Sequence, residues 1–295
     1  MTMRLAGLAF GLVLAGAPAI ALAQEAPPPP SAPGAADWRI VPADNLLVID
    51  TNRGRILVEM APEAAPLHVD RMRLLARRAF YDGITFHRVI DNFMAQTGDP
   101  LGNGEGQSPY PDIKGEFTFR RGAEMPFVAA AAPAGSMLGF INSLPVETQP
   151  TPMMATTGDG KVHGWGVYCP GVAGMARDEN PDSANSQFFL MRQPYPSLDK
   201  RYSVWGRVVS GLDVVRAIKV GDGDNGAVTA DPDRITRVRI ASDLPETERP
   251  NVQVLDAASP TFRTLSESVR AARGADFSIC DIDLPVQVSG PPPPV

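Results

Sequence analysis

The amino-acid sequence predicts a mainly β protein, built as a closed antiparallel barrel with two helices. Its apolar residues fall in many short runs that are rich in Val, Ile, Leu and Phe and are separated by Gly, Pro or Asp. Only two segments ahead of residue 244 have apolar residues at clear helical spacing. A parallel sheet would need strands and helices in alternation, so this pattern favours an antiparallel barrel.

The first elements are a β-hairpin and an amphipathic helix. Two runs of β-branched and aliphatic residues, Leu46–Thr51 and 55–60, flank the turn sequence Asn-Arg-Gly, which predicts a hairpin. Within 62–79 the apolar residues recur at helical spacing with arginines between them, which predicts a helix that covers the sheet with one face. Those apolar residues are Val69, Met72, Leu75, Ala76 and Ala79.

Further short runs predict the remaining strands and the second helix. Leu212, Val215 and Ile218 have the spacing of one helical face. The elements together assign residues 44–243 to one domain. The strand candidates are 85–90, 93–96, 187–191, 204–209 and 235–240.

Two segments do not fit the barrel pattern. About 118–168 is an insertion rich in Ala, Gly, Pro and Met, and the apolar content of 127–141 and 153–154 predicts that it packs against another part of the structure. Residues 244–295 form a C-terminal extension in which 259–274 have a helical pattern. The extension ends in a Pro-rich tail at 290–295.

The N-terminal residues have the pattern of a secretory signal peptide, 1–23. Arg4 supplies the positive charge and 5–13 the apolar stretch, and a small-residue site predicts cleavage after Ala23. An uncleaved membrane anchor is the alternative, but the apolar stretch is shorter than the ~20 residues that a spanning helix needs. We therefore expect an exported, periplasmic protein without a membrane span after cleavage, in which 24–43 form a Pro-rich linker.

Composition excludes several classes of function. The 295 residues carry a formal net charge of -6 without any basic run, so nothing offers the phosphate-neutralising surface that a nucleic-acid partner requires. The three histidines, His68, His87 and His163, are not grouped with Cys, Asp or Glu at metal-ligand spacing, so neither a metal nor another cofactor is predicted. The glycine cluster at 102–106 is interpreted as a flexible loop, because no helix pattern follows it.

The chain contains two cysteines, Cys169 and Cys280. An oxidising compartment allows such a pair to form a structural disulfide, and the export signal makes this the favoured interpretation. Two unrelated buried thiols are the alternative. If the two are bonded, the C-terminal extension lies against the insertion.

One series of motifs is specific to a known family. It comprises Tyr81-Asp82-Gly83-Ile84-Thr85-Phe86-His87-Arg88-Val89-Ile90, Phe93-Met94-Ala95-Gln96, Gly98-Asp99, 171–176, Ser186-Gln187-Phe188-Phe189, Leu198-Asp199 and Val204-Trp205-Gly206-Arg207-Val208. The series resembles the cyclophilin signature, over about 45–117 and 169–242. The resemblance implies an eight-stranded closed antiparallel β-barrel capped by two helices. It also implies a peptidyl-prolyl cis/trans isomerase, an enzyme that rotates X-Pro bonds without a cofactor.

The resemblance assigns roles to individual side chains. Arg88 and Gln96 are the implied catalytic residues, and Gln96 with Gln187 would hydrogen-bond the substrate backbone. The implied proline pocket is lined by Phe93, Met94, Phe189 and Leu198, with Tyr202 as an aromatic wall. The adjoining groove is lined by Ala176 and Arg177. Taken singly, each residue has a structural alternative, Arg88 as an ion-paired strand residue and the aromatic residues as core.

Simple chemistry explains why these residue types suit the reaction. Amide resonance holds an X-Pro bond planar, with a rotation barrier of ~18–20 kcal/mol. Catalysis needs only to favour the twisted transition state, in which the proline nitrogen becomes a better hydrogen-bond acceptor, and a fixed guanidinium can donate to it. The expected partners are proline-containing segments of unfolded or folding proteins, and the chain itself is expected to be monomeric.

Three residues depart from the family pattern. Ser197 stands where many members have a tryptophan, so strong cyclosporin binding is not expected. Tyr202 replaces a histidine, and activity is expected to survive this change because the aromatic wall and a polar tip are kept. Arg177 replaces an asparagine, and its backbone can still contact the substrate. The departures leave open a non-catalytic proline-binding module or holdase chaperone, and the Pro-rich ends leave open a structural envelope protein.

Overall fold

The computed structural model describes residues 32–290. The predicted signal peptide, most of the Pro-rich part of the linker and residues 291–295 of the tail lie outside the described residues. The helices are α1 (Pro66–Arg77), α2 (Leu212–Ala217) and α3 (Pro260–Arg273). The strands are β1 (Trp38–Ile40), β2 (Leu46–Thr51), β3 (Gly54–Met60), β4 (Arg88–Ile90), β5 (Met94–Thr97), β6 (Phe119–Arg121), β7 (Phe127–Ala131), β8 (Met137–Ile141), β9 (Leu144–Thr148), β10 (Val162–Gly166), β11 (Val172–Met175), β12 (Phe188–Met191), β13 (Val204–Ser210), β14 (Ile235–Ile240), β15 (Asn251–Leu255) and β16 (Val286–Ser289). Within 32–290, no helix is long and apolar enough to cross a membrane.

Eight antiparallel strands form the main sheet, in the order β14-β2-β3-β13-β11-β12-β5-β4. The predicted hairpin is confirmed, because β2 and β3 pair from Leu46 opposite Glu59 to Thr51 opposite Gly54. Every strand that the sequence predicted in the domain belongs to this sheet. The sequence analysis did not assign β11 as a strand, and it supplies the eighth member.

The prediction of a closed barrel is wrong, as the strand pairing shows. The edge strands β4 and β14 share no ladder, and one isolated bridge, between Thr85 and Arg234, joins the segments that precede them. Single backbone bonds support this bridge, including the one from the N–H of Phe86 to the carbonyl of Asp233 at 2.8 Å. Because β4 has only three residues, it forms a ladder with β5 alone, and the sheet is an open half-barrel.

The helix α1 covers the sheet with the face that the sequence predicted. It buries Val69, Met72 and Leu75, which join the apolar cluster that contains Trp205. The helix ends earlier than expected, because Ala79 has a left-handed φ of 51° that no α-helix can contain. Ala79 is therefore exposed and not part of the apolar stripe.

The insertion forms a second sheet, with five strands in the order β6-β10-β9-β8-β7. The C-terminal extension contributes α3, which the sequence predicted, and the strands β15 and β16, which form a three-stranded sheet with β1 in the order β1-β15-β16. Ser259 caps α3 by accepting a 3.1 Å hydrogen bond from the N–H of Phe262. Phe140 of the insertion packs edge-to-face on Phe262, with ring centroids 5.7 Å apart, so insertion and extension share one core.

Residues 38–40, which the sequence analysis placed in the linker, belong to the folded domain. They form β1, in which Arg39 lies opposite Val254 of the extension. The side chain of Arg39 reaches the main sheet and donates two 2.6 Å hydrogen bonds to the carboxylate of Glu59 on β3. Since Glu59 is buried, this ion pair fixes β1 against the main sheet.

Candidate active site

Strand register brings the predicted polar residues into one row. Arg88 lies opposite Gln96 across β4 and β5, and Gln96 lies opposite Phe189 across β5 and β12. Opposite residues in an antiparallel pair point to the same face, and so do residues two apart along a strand. Met94 and Gln187 are therefore on that face as well.

Hydrogen bonds join the three polar side chains into a chain. The guanidinium of Arg88 donates to Oε1 of Gln96 at 3.1 Å, and Nε2 of Gln96 donates to Oε1 of Gln187 at 2.9 Å. Nε2 of Gln187 then donates to the carbonyls of Gly104 and Gly106, at 2.8 and 2.9 Å. Each amide is fixed in one orientation, because its donor and its acceptor are both used.

Arg88 is held from its other side by Asn225, a residue that the sequence analysis missed. Nε of Arg88 donates to the Asn225 carbonyl, and Nη2 donates to the side-chain Oδ1, both at 2.9 Å. A guanidinium has five N–H donors. Within residues 32–290 the bonds to Asn225 and Gln96 leave one N–H free on each of Nη1 and Nη2. Burial lowers the pKa of Arg88, opposed by Tyr202, but arginine stays protonated in proteins.

The predicted apolar residues form one side of the same site. Met94, Phe189 and Leu198 are buried members of one apolar cluster. Phe93, Ala176 and Tyr202 pack on that cluster while keeping part of their surface exposed. The rings of Phe189 and Tyr202 meet edge-to-face with centroids 5.9 Å apart. The structure thus gathers the predicted set into an apolar wall that opens to solvent.

Two tyrosines that the sequence analysis did not select pack against this wall. Tyr195 is 42% exposed, and its ring centroid lies 4.4 Å from that of Phe93. Tyr168 is fully buried and stacks on Phe189, with ring centroids 5.8 Å apart. The turn 195–198 and the end of the insertion bring these rings to the site, so no local motif could have identified them.

A groove of about 350 Å³ adjoins the polar row. Arg177 lies at its edge, with its guanidinium 4.5 Å from the ring centroid of Tyr202 and 5.6 Å from that of Phe117. The Arg177 side chain also donates to the carbonyl of Arg201. Arg177 therefore connects the groove to the apolar wall. The groove is lined by Gln96, Gly104, Glu105, Gly106, Gln107, Ala176, Arg177, Asp178, Ser183, Asn185 and Gln187.

The glycine-rich loop at 102–106 is organised around Asp99. The carboxylate of Asp99 accepts backbone hydrogen bonds from Leu101, Asn103 and Gly104 at 2.7, 2.8 and 2.5 Å. Burial by itself would raise the pKa of Asp99, but these backbone bonds hold that pKa below its usual value. The ionised carboxylate thus fixes the loop whose carbonyls accept from Gln187.

His87 is a packed side chain beside the site. Its ring is buried, and neither ring nitrogen has a hydrogen-bond partner within the described residues. Burial lowers the pKa of His87; Asp99 opposes this shift and Arg88 adds to it. The enclosed ring suits a structural role for His87. Residues 32–290 contain no cluster of three or more His, Cys, Asp or Glu side chains that could hold a metal ion.

Comparison with known proteins places these features in one family. The sequence model described as cyclophilin type peptidyl-prolyl cis-trans isomerase/CLD matches residues 46–240. A probable peptidyl-prolyl cis-trans isomerase of Brucella suis is 35% identical over 212 residues, which is 68% of this chain and 84% of that protein. The peptidyl-prolyl cis-trans isomerase-like 1 protein of Aspergillus fumigatus is 29% identical over 197 residues, covering 67% of this chain and 96% of its own.

The crystal structure of cyclophilin AquaCyp293 from Hirschia baltica is similar over a longer span. It superimposes with a TM-score of 0.77 and 34% sequence identity, covering 85% of this chain and 93% of its own. That coverage extends beyond residues 46–240, so the structural similarity includes parts of the chain outside the family match.

Proposed function

The chain belongs to the cyclophilin-type peptidyl-prolyl cis-trans isomerases, and from this premise we propose that Arg88 is the residue that catalyses rotation of the X-Pro bond. The observation that carries the proposal is the pair of free guanidinium N–H groups, one on Nη1 and one on Nη2, within the described residues. They lie beside the apolar wall of Met94 and Phe189, since Arg88, Gln96 and those residues share one face of the sheet.

Arg88 acts on the reaction by electrostatic stabilisation. The planar amide must lose its resonance on the way to the transition state, which costs ~18–20 kcal/mol without a catalyst. The nitrogen lone pair then becomes available, and a fixed N–H donor stabilises the twisted amide more than the planar one. Lowering the barrier by ~7 kcal/mol would accelerate rotation by about 10⁵-fold.

The residues around Arg88 bind and position the substrate. Phe93, Met94, Phe189, Leu198 and Tyr202 hold the proline ring by apolar contact, while Gln96 and Gln187 position the substrate backbone by hydrogen bonds. Half-burial of Arg88 strengthens its hydrogen bonds, because a lower local dielectric screens them less. Asn225 and Gln96 fix the guanidinium in advance, so little reorganisation accompanies the reaction.

Isomerisation of a proline tetrapeptide, measured without a coupling protease, tests this proposal. We expect Arg88→Ala to lower kcat/KM at least about 100-fold, equivalent to ~2.7 kcal/mol, and Arg88→Lys to recover little, because an ammonium lacks the planar fork. Arg78→Ala is the matched control, since Arg78 is exposed and its side chain forms no hydrogen bond within residues 32–290. Full activity in Arg88→Ala would refute the assignment. An inactive wild type that still binds the peptide would favour the non-catalytic binding module.

We further propose that the enzyme acts on proline-containing segments of exported proteins in the periplasm. The signal-peptide pattern of 1–23 supports this location, and so does the bond between Cys169 and Cys280, since structural disulfides persist in oxidising compartments. N-terminal sequencing of the protein from a periplasmic fraction should give a chain that starts at Gln24. Recovery of the uncleaved chain from the cytoplasm would contradict the proposal.

A further inference from the structure

Tyr168 connects the proline-binding wall to the C-terminal extension. Its buried ring stacks on Phe189, with an angle of 24° between the two ring planes. The next residue, Cys169, is bonded to Cys280 of the extension, with Cα atoms 5.1 Å apart. Tyr168, which packs behind the wall, is therefore directly adjacent in sequence to a residue that is covalently linked to the C-terminal extension.

The main chain of Tyr168 is bonded to the turn that carries Leu198. Its N–H donates to Oδ1 of Asp199, and its carbonyl accepts from the N–H of Tyr195, both at 2.9 Å. Leu198 lies between these two partners in the sequence. A displacement of Tyr168 would therefore move Leu198 through the main chain and Phe189 through the ring stack.

The other end of the disulfide is anchored independently. Ile279 and Ile282 flank Cys280 and are buried in the core that also contains Phe140 and Phe262. Ser278 caps the short helical turn Ile279–Asp281 by accepting from the N–H of Cys280 at 3.2 Å. The disulfide thus fastens Cys169 to a packed segment and not to a free tail.

We propose that Tyr168, held by the Cys169–Cys280 disulfide, is a positioning residue that sets the spacing of Phe189 and Leu198 around the proline ring. This inference rests on the proposed function of the same site. Opening the disulfide releases one side of Tyr168, and the proline ring is then held less tightly. Arg88 is untouched by this change, since Gln96 and Asn225 hold it. The expected signature is a higher KM with little change in kcat.

Two routes open the bond for the test. Cys280→Ser removes it permanently, and a dithiol reductant opens it in the wild type by giving two electrons and two protons to the cystine while itself closing to a cyclic disulfide. We expect each route to raise KM for a proline tetrapeptide about three- to tenfold, with kcat within about twofold. The reductant should have no further effect on Cys280→Ser. Peptide affinity measured by titration should fall in parallel with the rise in KM.

Ser259→Ala is the matched control. It removes the cap of α3 and loosens the extension without touching the disulfide or Tyr168, and it should leave KM unchanged. Unchanged KM in both the reduced wild type and Cys280→Ser would overturn the positioning role, as would an equal rise in Ser259→Ala. If Cys280→Ser does not fold, the reduced wild type decides. If the wild type lacks isomerase activity, the proposed function fails, and peptide affinity then decides the positioning role.

Discussion

Gly174 lies directly against Phe189. The two residues are opposite each other across β11 and β12, and a Cβ built on Gly174 would lie 2.5 Å from Cζ of Phe189. The same Cβ would be 2.7 Å from the hydroxyl oxygen of Tyr168. Only a hydrogen atom leaves room for both rings, so the position of the apolar wall depends on the absence of a side chain at Gly174.

Gly174→Ala should therefore affect stability and binding together. We expect a loss of about 1–3 kcal/mol in unfolding free energy, the usual cost of overpacking, and weaker binding of proline peptides because Phe189 must move. Denaturant unfolding and peptide titration measure the two effects. Gly158→Ala is the control, since Gly158 is exposed and its added Cβ would meet no atom within 4 Å. A Gly174→Ala protein with unchanged stability and affinity would contradict the account of the wall.

Asn225→Gly should reduce catalysis while preserving the fold. Glycine keeps the left-handed φ of 53° and the backbone carbonyl but removes the Oδ1 that accepts from Arg88. We expect kcat/KM to fall about three- to tenfold, equivalent to ~0.6–1.4 kcal/mol. Asp224→Ala, at an exposed neighbouring position, should retain full kcat/KM. Equal activity of Asn225→Gly and wild type would show that the backbone carbonyl of residue 225 and the side chain of Gln96 are sufficient to position Arg88.

Arg39→Ala tests whether β1 is part of the domain. It leaves the buried carboxylate of Glu59 without its partner, which should cost about 3–5 kcal/mol of unfolding free energy. Adding Glu59→Gln should recover part of that loss. Arg120→Ala, which breaks a solvent-exposed pair with Asp159, should cost at most about 1 kcal/mol. Similar stability losses from Arg39→Ala and Arg120→Ala would argue against the buried pair as an anchor of β1.

The stability of the protein should depend on the protonation of Asp199. Burial raises the pKa of Asp199 to about 6; the bond from the Tyr168 N–H opposes this shift, Glu147 adds to it and Lys200 opposes it. The unfolded carboxyl has a pKa near 3.8, so the native state binds the proton more tightly. This contribution to stability is fully present below about pH 4 and is lost as the pH rises through about 6.

Urea unfolding at pH 5, 6 and 7 measures this contribution. The unfolding free energy of the wild type, relative to that of Asp199→Asn, should increase as the pH falls from 7 to 5. Asparagine cannot titrate, and it keeps an oxygen that can accept from Tyr168. Parallel pH profiles for the two proteins would show that Asp199 has an ordinary pKa.

Elements with a local signal could be predicted from the sequence. The β2–β3 hairpin and the buried face of α1 follow from periodicity, and α3 begins after Ser259 and ends before Gly274, as its capping residues indicate. The polar row of the site follows from strand alternation once the register is known. None of these residues is distinctive alone, and the order of the family motifs along the chain is what identified them.

The remaining features depend on contacts between distant segments. Asn225 lies 137 residues from Arg88 in the sequence, and no local pattern marks it as a partner. The Ala-rich strand β7 has weak strand propensity, so its pairing with β8 decides its conformation. The main sheet is open because β4 has only three residues. The sequence did not predict this short strand, because all six residues of 85–90 have the composition of a strand.

The pairing of β1 with β15 has a consequence for the order of folding. Trp38 lies opposite Leu255, so the first strand of the described chain closes a loop that contains the whole main sheet. Contacts of such high sequence separation form late, because the entropy of loop closure must be overcome first. A chain that ended at residue 240 would contain every strand of the main sheet, yet β1 would have no partner. Its unpaired backbone N–H and C=O groups would then be able to pair with other chains. The native state is thus completed only when the C-terminal extension is available to pair with the first strand.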